Sequence, residues 1–118
     1  MVIALFRRRL KEGNTFADFK AAWEAEKGFG VPARVIAATR LDDPREVLTV
    51  GFVDIEPKAL SITGEAVAEQ EAARHGRIDE VIESTELRAF YAVESEHDFS
   101  SEPREIAAGD PASILSGL

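Results

Sequence analysis

The segment from residue 33 to residue 55 constrains the fold of this chain more than any other. It contains two apolar runs, at 33–41 and 46–55, with only Asp42-Asp43-Pro44-Arg45 between them. Aspartate and proline favour chain reversal, so these four residues predict a turn. Parallel neighbours would need a crossover of about a dozen residues or more, and therefore the two runs are predicted to pair as an antiparallel hairpin.

One strand and one helix are predicted ahead of the hairpin. Residues 2–9 begin with the apolar run Val2-Ile-Ala-Leu-Phe6, which is short enough for a strand buried on both faces. A helix is predicted over residues 15–27, because Thr15-x-x-Asp18 matches a capping box and glycines follow at positions 28 and 30. Its apolar face would carry Phe16, Phe19, Ala22 and Trp23.

A second helix and a fourth strand are predicted after the hairpin. The helix would begin at Glu56-Pro57, since proline suits the first turn, and Gly64 is expected to bend or split it. A separate short turn is expected at residues 78–82, after Gly76, and a fourth strand at residues 85–94. The apolar stripe of the helix is thin and consists of Leu60, Ala66, Val67 and Ala73.

The order of these elements predicts an α+β fold of ferredoxin-like type. In this βαββαβ arrangement, two main helices cover one face of a four-stranded antiparallel sheet. The domain would comprise residues 1–95, and residues 96–118 would form a C-terminal arm or flexible tail. The predicted strands are apolar on both faces, whereas the two helices cover only one. We therefore expect a homodimer through the sheet face, the alternative being a tail that folds back over this face of a monomer.

Charge and composition exclude several classes of function. The chain has 14 lysines and arginines against 22 aspartates and glutamates, and its net charge of -8 disfavours a nucleic-acid partner. It has no cysteine, which excludes a disulfide framework and a thiolate metal site. The arginines follow the short N-terminal apolar run instead of preceding it, so neither an export signal nor a membrane span is expected. A soluble, cytoplasmic protein is the expectation.

The first strand and helix together resemble a known superfamily. Phe16-x-x-Phe19-x-x-x-Trp23, after the strand Val2-Ile-Ala-Leu-Phe6, resembles the dimeric α/β-barrel superfamily, which includes antibiotic-biosynthesis-type monooxygenases and EthD-like proteins. The resemblance implies a homodimer whose sheets form a barrel, with a small-molecule pocket between sheet and helices in each subunit. Some members oxidise or isomerise aromatic compounds without cofactors, and others bind heme. EthD-like proteins commonly carry a histidine where this chain has Lys27, so no catalytic histidine is carried over.

Five residues are candidates for lining such a pocket: Trp23, Tyr91, Arg8, Thr39 and His75. Trp23 could stack on a flat ligand and Tyr91 could donate a hydrogen bond into an apolar cavity, although both residue types also fill cores. Arg8 could pair with an anionic ligand or with one of the many acids. His75 could serve in acid-base chemistry or complement the dipole at a helix end. The position of Thr39 depends on strand register.

Two hypotheses for the function are left open by the sequence. The first is a cofactor-independent monooxygenase or isomerase acting on a hydrophobic or aromatic compound near Trp23 and Tyr91. The second is a non-catalytic ligand-binding or stress-type dimer, or an accessory subunit that binds a protein partner through the C-terminal arm. No cofactor and no metal are expected, because Glu96-His97-Asp98 lacks the helical spacing and the third histidine of a transition-metal site.

Overall fold

A computed structural model of the chain describes residues 1–23 and 32–106. The main elements follow in the order β-α-β-β-α-β, and a short hairpin comes after them. The strands are β1 (Val2–Leu10), β2 (Ala33–Arg40), β3 (Asp43–Val53), β4 (Ile82–Ala92), β5 (Glu96–Asp98) and β6 (Arg104–Ile106), and the helices are α1 (Phe16–Trp23) and α2 (Leu60–Asp79). The predicted α+β class and the four-stranded antiparallel sheet are confirmed.

The main sheet has the strand order β2-β3-β1-β4, and every neighbouring pair is antiparallel. Ala4 of β1 pairs with Gly51 of β3 on one side and with Phe90 of β4 on the other. Because side chains alternate along a strand, the even-numbered residues of β1 face the helices and the odd-numbered residues face away. Alternate side chains of each strand therefore point to the helix-covered face and to the opposite face, which is called the open face below.

The open face of the sheet is largely apolar, as the alternation in the sequence predicts. The described helices pack on the other side, where Phe19 of α1 and Ile78 of α2 meet Leu10 and Val47 of the sheet. The open face carries Ile3, Leu5, Ile36, Leu48, Val50, Phe52, Leu87, Ala89 and Tyr91. Ile36 and Tyr91 are 41% and 49% exposed, so this apolar surface faces solvent in the single chain.

The turn of the central hairpin is shorter than the sequence predicts. β2 and β3 are joined by Leu41 and Asp42 alone, and β3 begins at Asp43 instead of residue 46. Asp43 fits the strand because its carboxylate accepts from Arg9 Nη1 at 2.8 Å and from the Arg45 amide at 3.1 Å. Pro44 precedes the residues of β3 that pair with β1, so its missing amide removes no hydrogen bond from that ladder.

Helix α2 is continuous, and the predicted break at Gly64 is wrong. The helix follows a 3₁₀ turn at Pro57–Ala59, as the proline suggests, and runs through both Gly64 and Gly76. Glycine permits a bend without requiring one, and a helix packed on a sheet tolerates the weakening of about 1 kcal/mol per glycine. The turn predicted at residues 78–82 is present but shorter, at Glu80 and Val81, since α2 continues to Asp79 and β4 already starts at Ile82.

The start of helix α1 contains half of the predicted capping box. Asp18 Oδ2 accepts from the Thr15 amide at 2.8 Å and from the Thr15 hydroxyl at 3.3 Å. The Asp18 amide donates to the Thr15 backbone carbonyl, not to the hydroxyl. The helix therefore starts at Phe16, one residue after the predicted start, while its predicted end at residues 24–27 lies outside the described residues.

The buried core lies at one end of the helix-covered face. Its members are Leu10, Phe19, Val47, Ile78 and Ile82, which come from the end of β1, from α1, from the start of β3, from the end of α2 and from the start of β4. Phe16, Trp23 and Val81 pack against them. The side chains of Ala66 and Val67, two members of the predicted apolar stripe of α2, lie outside the described part.

The first residues of the predicted C-terminal tail form a small hairpin. β5 and β6 pair with each other in a separate two-stranded sheet, in which Asp98 pairs with Arg104. Asp98 Oδ2 accepts from Arg104 Nη2 at 3.0 Å, and the Ser100 hydroxyl and amide both donate to Oδ1. These bonds lower the pKa of Asp98 to about 2. Residues 107–118 lie outside the described part of the chain.

Replacing Phe19 with alanine is expected to lower the free energy of unfolding by about 3 to 5 kcal/mol, the usual cost of truncating a buried phenylalanine. Phe19 is 1% exposed at the centre of the core. Urea unfolding followed by circular dichroism measures the loss. Phe99→Ala is the matched control, because Phe99 is 72% exposed, and a change within about 0.5 kcal/mol is expected there. Equal effects of the two substitutions would contradict this core.

Candidate functional site

A cavity of about 620 Å³ lies between the helix-covered face of the sheet and helix α2. The sheet contributes side chains from all four strands, and Trp23 of α1 completes the wall. The lining from the sheet includes Ala4, Phe6, Arg8, Val35, Thr49, Val53, Arg88 and Phe90. The lining from α2 includes Leu60, Ala68, Glu71, Ala72, Arg74 and His75. The cavity adjoins the core, since Ile78 belongs to both.

Small residues on facing surfaces explain why this space is not filled. The part of α2 above the cavity presents Gly64, Ala68 and Ala72, and the sheet below presents Ala4 and Gly51. A helix and a sheet are held apart by the large side chains of the core at one end, so small residues elsewhere leave volume between them. A Cβ atom on Gly64 would meet no atom within 4 Å, which shows how open this side of the helix is.

The lining changes from apolar to cationic along strand β1. Ala4 is level with Gly51 of β3 and Val35 of β2 at the apolar end. Two residues further on, Phe6 is level with the polar side chains of Thr49 and Arg88. Arg8 follows on the same face. The register of the sheet therefore gives the cavity one apolar end and one end that carries guanidinium groups.

Arg8 is the most deeply buried charged residue of the sheet, with only 3% of it exposed. Its Nη1 donates a long hydrogen bond of 3.5 Å to Thr49 Oγ1, and its Cζ lies 4.4 Å from the centroid of the Phe6 ring. Burial lowers the pKa of Arg8 to about 10, with Asp79 opposing and Arg88 adding to this effect. Arg8 is therefore still a cation at neutral pH.

Three residues of α2 form a polar cluster above the sheet. Arg74 Nη1 donates to Glu71 Oε1 at 2.6 Å, and the Arg74 guanidinium lies 5.3 Å from the Trp23 ring centroid. His75 Nε2 lies 3.9 Å from the second oxygen of Glu71. Burial lowers the pKa of His75, and the positive charges of Arg8 and Arg88 lower it further. His75 is consequently favoured as a neutral imidazole.

A smaller cavity of about 280 Å³ adjoins the cationic end. It shares Phe6, Arg8, His75 and Arg88 with the larger cavity. Its own contributions are Asp79 of α2 and Thr85 of β4. The guanidinium groups thus have free space on two sides.

The structure brings three of the five predicted pocket residues together. Arg8, Trp23 and His75 all line the large cavity. Tyr91 does not, because it lies on the open face opposite Ile3, and 49% of it is exposed. Its predicted position facing a cavity is therefore wrong. Thr39 points to the helix side at the level of Val47, but it is exposed and outside the cavity lining.

Sequence reasoning missed Glu71, Arg74 and Arg88 as lining residues. The spacing of Glu71, Arg74 and His75 by three and four positions places them on one face of a helix, and this signal was present in the sequence. Arg88 lies on the same strand face as Phe90, an alternation that the sequence also shows. Only the packing of α2 on the sheet shows that these two faces meet.

No family model, no curated protein and no solved structure matches this chain. Among the described residues, no group of three or more histidines and carboxylates is placed to hold a metal ion. No helix in residues 1–23 and 32–106 is long and apolar enough to cross a membrane.

An NMR titration of His75 is expected to give a pKa below the ordinary histidine value of about 6.5. The folded state then binds fewer protons than the unfolded state between the two pKa values. The contribution of His75 to stability is complete above the unfolded pKa and is lost as the pH falls through the folded pKa. The spectrum of His75→Gln identifies the resonance. A titration midpoint at or above 6.5 would contradict the burial of this ring beside two cations.

Proposed function

We propose that this protein handles a small hydrophobic or aromatic compound, as a homodimer of the dimeric α/β-barrel type. Each subunit would be a ferredoxin-like βαββαβ domain that holds one molecule of the compound between its sheet and α2. The cavity of about 620 Å³ is the observation that carries this proposal. Ligand pockets typically measure about 300 to 1,000 Å³ and combine an apolar lining with a few placed polar groups.

A catalytic version of this function is supported by His75 and its surroundings. A neutral imidazole in a cavity can accept a proton from a bound compound, and the nearby guanidinium groups would stabilise the resulting anion. Such a step begins an isomerisation, or a reaction of the carbanion with dioxygen in a cofactor-independent monooxygenase. In this version, His75→Gln binds the compound but forms no product.

A non-catalytic version is supported by the small number of reactive side chains among the described residues that line the cavity. Glu71 already bonds Arg74, and Tyr91, the predicted hydrogen-bond donor, lies on the other side of the sheet. A ligand-binding or stress-type dimer needs only the volume and the polar anchor. An accessory subunit would in addition use the C-terminal residues to bind a protein partner. Product formation from a bound compound separates the two versions.

Filling the cavity is expected to prevent ligand binding. Ala72 and Ala73 are both exposed, but only Ala72 lines the cavity. With the neutral dye Nile red as probe, Ala72→Trp should weaken binding about tenfold or more, because the indole occupies the volume that the dye needs. Fluorescence titration of the dye measures the dissociation constant.

Ala73→Trp is the matched control for this titration, since it adds the same indole to the solvent side of the same helix. It is expected to bind the dye as the wild-type protein does. If both substitutions leave the affinity for the dye unchanged, the dye binds outside the cavity and the proposal of a ligand site in the cavity fails.

The homodimer is supported by the size and composition of the open face. Four strands spaced about 4.8 Å apart and about nine residues long give a face of roughly 500 to 600 Å². Pairing two copies would bury roughly 1,100 Å² in total, near the lower end of the range for specific interfaces. Charges at one end of the face are already paired within the chain, as in Arg7 with Glu86 at 3.3 Å and Arg40 with Glu46 at 3.6 Å. A second copy therefore meets an apolar surface without unpaired charge at that end.

A lysine on the open face is expected to dissociate the dimer. Ile36 lies on this face and is 41% exposed, so Ile36→Lys changes a surface residue and should leave the fold intact. The molar mass from light scattering should fall from that of two chains to that of one. Ile62→Lys is the control, because Ile62 is 71% exposed on α2, away from the sheet. A wild-type protein of single-chain mass would overturn the dimer.

A further inference from the structure

Two guanidinium groups at the cationic end of the cavity surround one aromatic ring. The Cζ atoms of Arg8 and Arg88 lie 4.4 and 5.7 Å from the centroid of Phe6. Within the described residues, no carboxylate lies within 4 Å of either group, and the single hydrogen bond of Arg8 is the long one to Thr49. Like charges repel each other, and solvent screens the buried Arg8 less than the exposed Arg88.

The charges around this end of the cavity do not balance. Three arginines, Arg8, Arg74 and Arg88, line the two cavities, together with the carboxylates of Glu71 and Asp79. Glu71 bonds Arg74, and Asp79 belongs only to the smaller cavity. With His75 neutral, the described lining carries one net positive charge, although the chain as a whole carries -8. A single negative charge on a ligand would complete the balance.

Among the described lining residues, the other end of the cavity offers no polar partner that would suit a second charge. Beyond Phe6, the sheet presents Ala4, Gly51, Val35 and Val53, and the start of α2 presents Leu60 and Gly64. A ligand that is charged at both ends would leave one charge desolvated against these apolar groups. Because the lining changes from cationic to apolar along the cavity, it favours a molecule with one anionic end and one apolar end.

We infer that the cavity binds an amphipathic monocarboxylate, with its carboxylate between Arg8 and Arg88 and its apolar or aromatic body extending past Phe6 toward Ala4. Planar guanidinium groups match the two oxygens of a carboxylate, and the Thr49 hydroxyl is a further donor at the same level of the sheet. This inference rests on the proposed ligand-handling function and names the chemical class of its ligand.

Matched pairs of probes test the inference. One pair is 2-naphthoate and 2-naphthamide, and a second pair, decanoate and decanamide, replaces the flat body by a flexible one. Each pair keeps the same apolar body and replaces the anionic carboxylate by a neutral carboxamide of similar size. The wild-type chain should bind the carboxylate about tenfold or more tightly than the amide, as expected for charge-assisted hydrogen bonds. The fluorescence of Trp23, the sole tryptophan of the chain, reports binding, because its ring lines the cavity.

Arg8→Gln should remove the preference for the carboxylate and leave the affinity for the amide within about twofold. Arg7→Gln is the matched control: Arg7 is the adjacent residue, faces the opposite side of the sheet and pairs with Glu86. It should keep the wild-type preference. Arg88→Gln, at an exposed position, should also weaken carboxylate binding, and it provides the test if Arg8→Gln does not fold by circular dichroism.

The outcomes separate this inference from the function on which it rests. Equal affinity for both members of each pair would overturn the carboxylate inference and leave the ligand-handling function in place. An undiminished preference in Arg8→Gln and Arg88→Gln would overturn it as well, because the anion would then bind elsewhere. Absence of binding for all four probes, together with absence of Nile red binding, would overturn both.

Discussion

The pleat of strand β1, at the centre of the pairing, is the constraint on which the remaining structure depends. It pairs with β3 and β4 along almost its whole length, so its alternation decides which residues of three strands share a face. Leu10 joins the core, Ala4 and Phe6 form the floor of the cavity, and Arg8 is buried beside them. A shift of one residue would turn Ala4, Phe6 and Arg8 to the open face and place the side chains of their neighbours under the helices.

The core and the cavity occupy opposite ends of the layer between the helices and the sheet. Large side chains such as Phe19 and Ile78 fill one end, where α1, α2 and three strands meet. The small residues Gly64 and Ala68 of α2 face the rest of the sheet and leave it uncovered. The core end of the layer therefore contributes most of the stability, and the other end provides the volume in which a ligand could bind. This separation lets the cavity carry buried charge without interrupting the core.

Sequence reasoning recovered the elements better than their boundaries. The hairpin of β2 and β3 was correctly expected as antiparallel, yet Asp43 joined the strand because Arg9, from a distant part of the chain, donates to its carboxylate. Gly64 was expected to interrupt α2, but packing against the sheet keeps the helix continuous. The candidate site was recovered in part: Trp23 lines the cavity, whereas Tyr91 faces away from it. At Asp43 and at Gly64, contacts with distant parts of the chain outweighed a local preference.

The sequence by itself determined the order of the elements, the alternation of each strand and the excess of acidic residues, because these follow from local periodicity and composition. It also placed Arg8 on the same face as Ala4 and Phe6. Only the tertiary structure decided that α2 covers this face, that Arg88 lies near Arg8, and that a cavity separates helix from sheet. Those facts depend on how large and small side chains from distant segments meet, which no local pattern encodes.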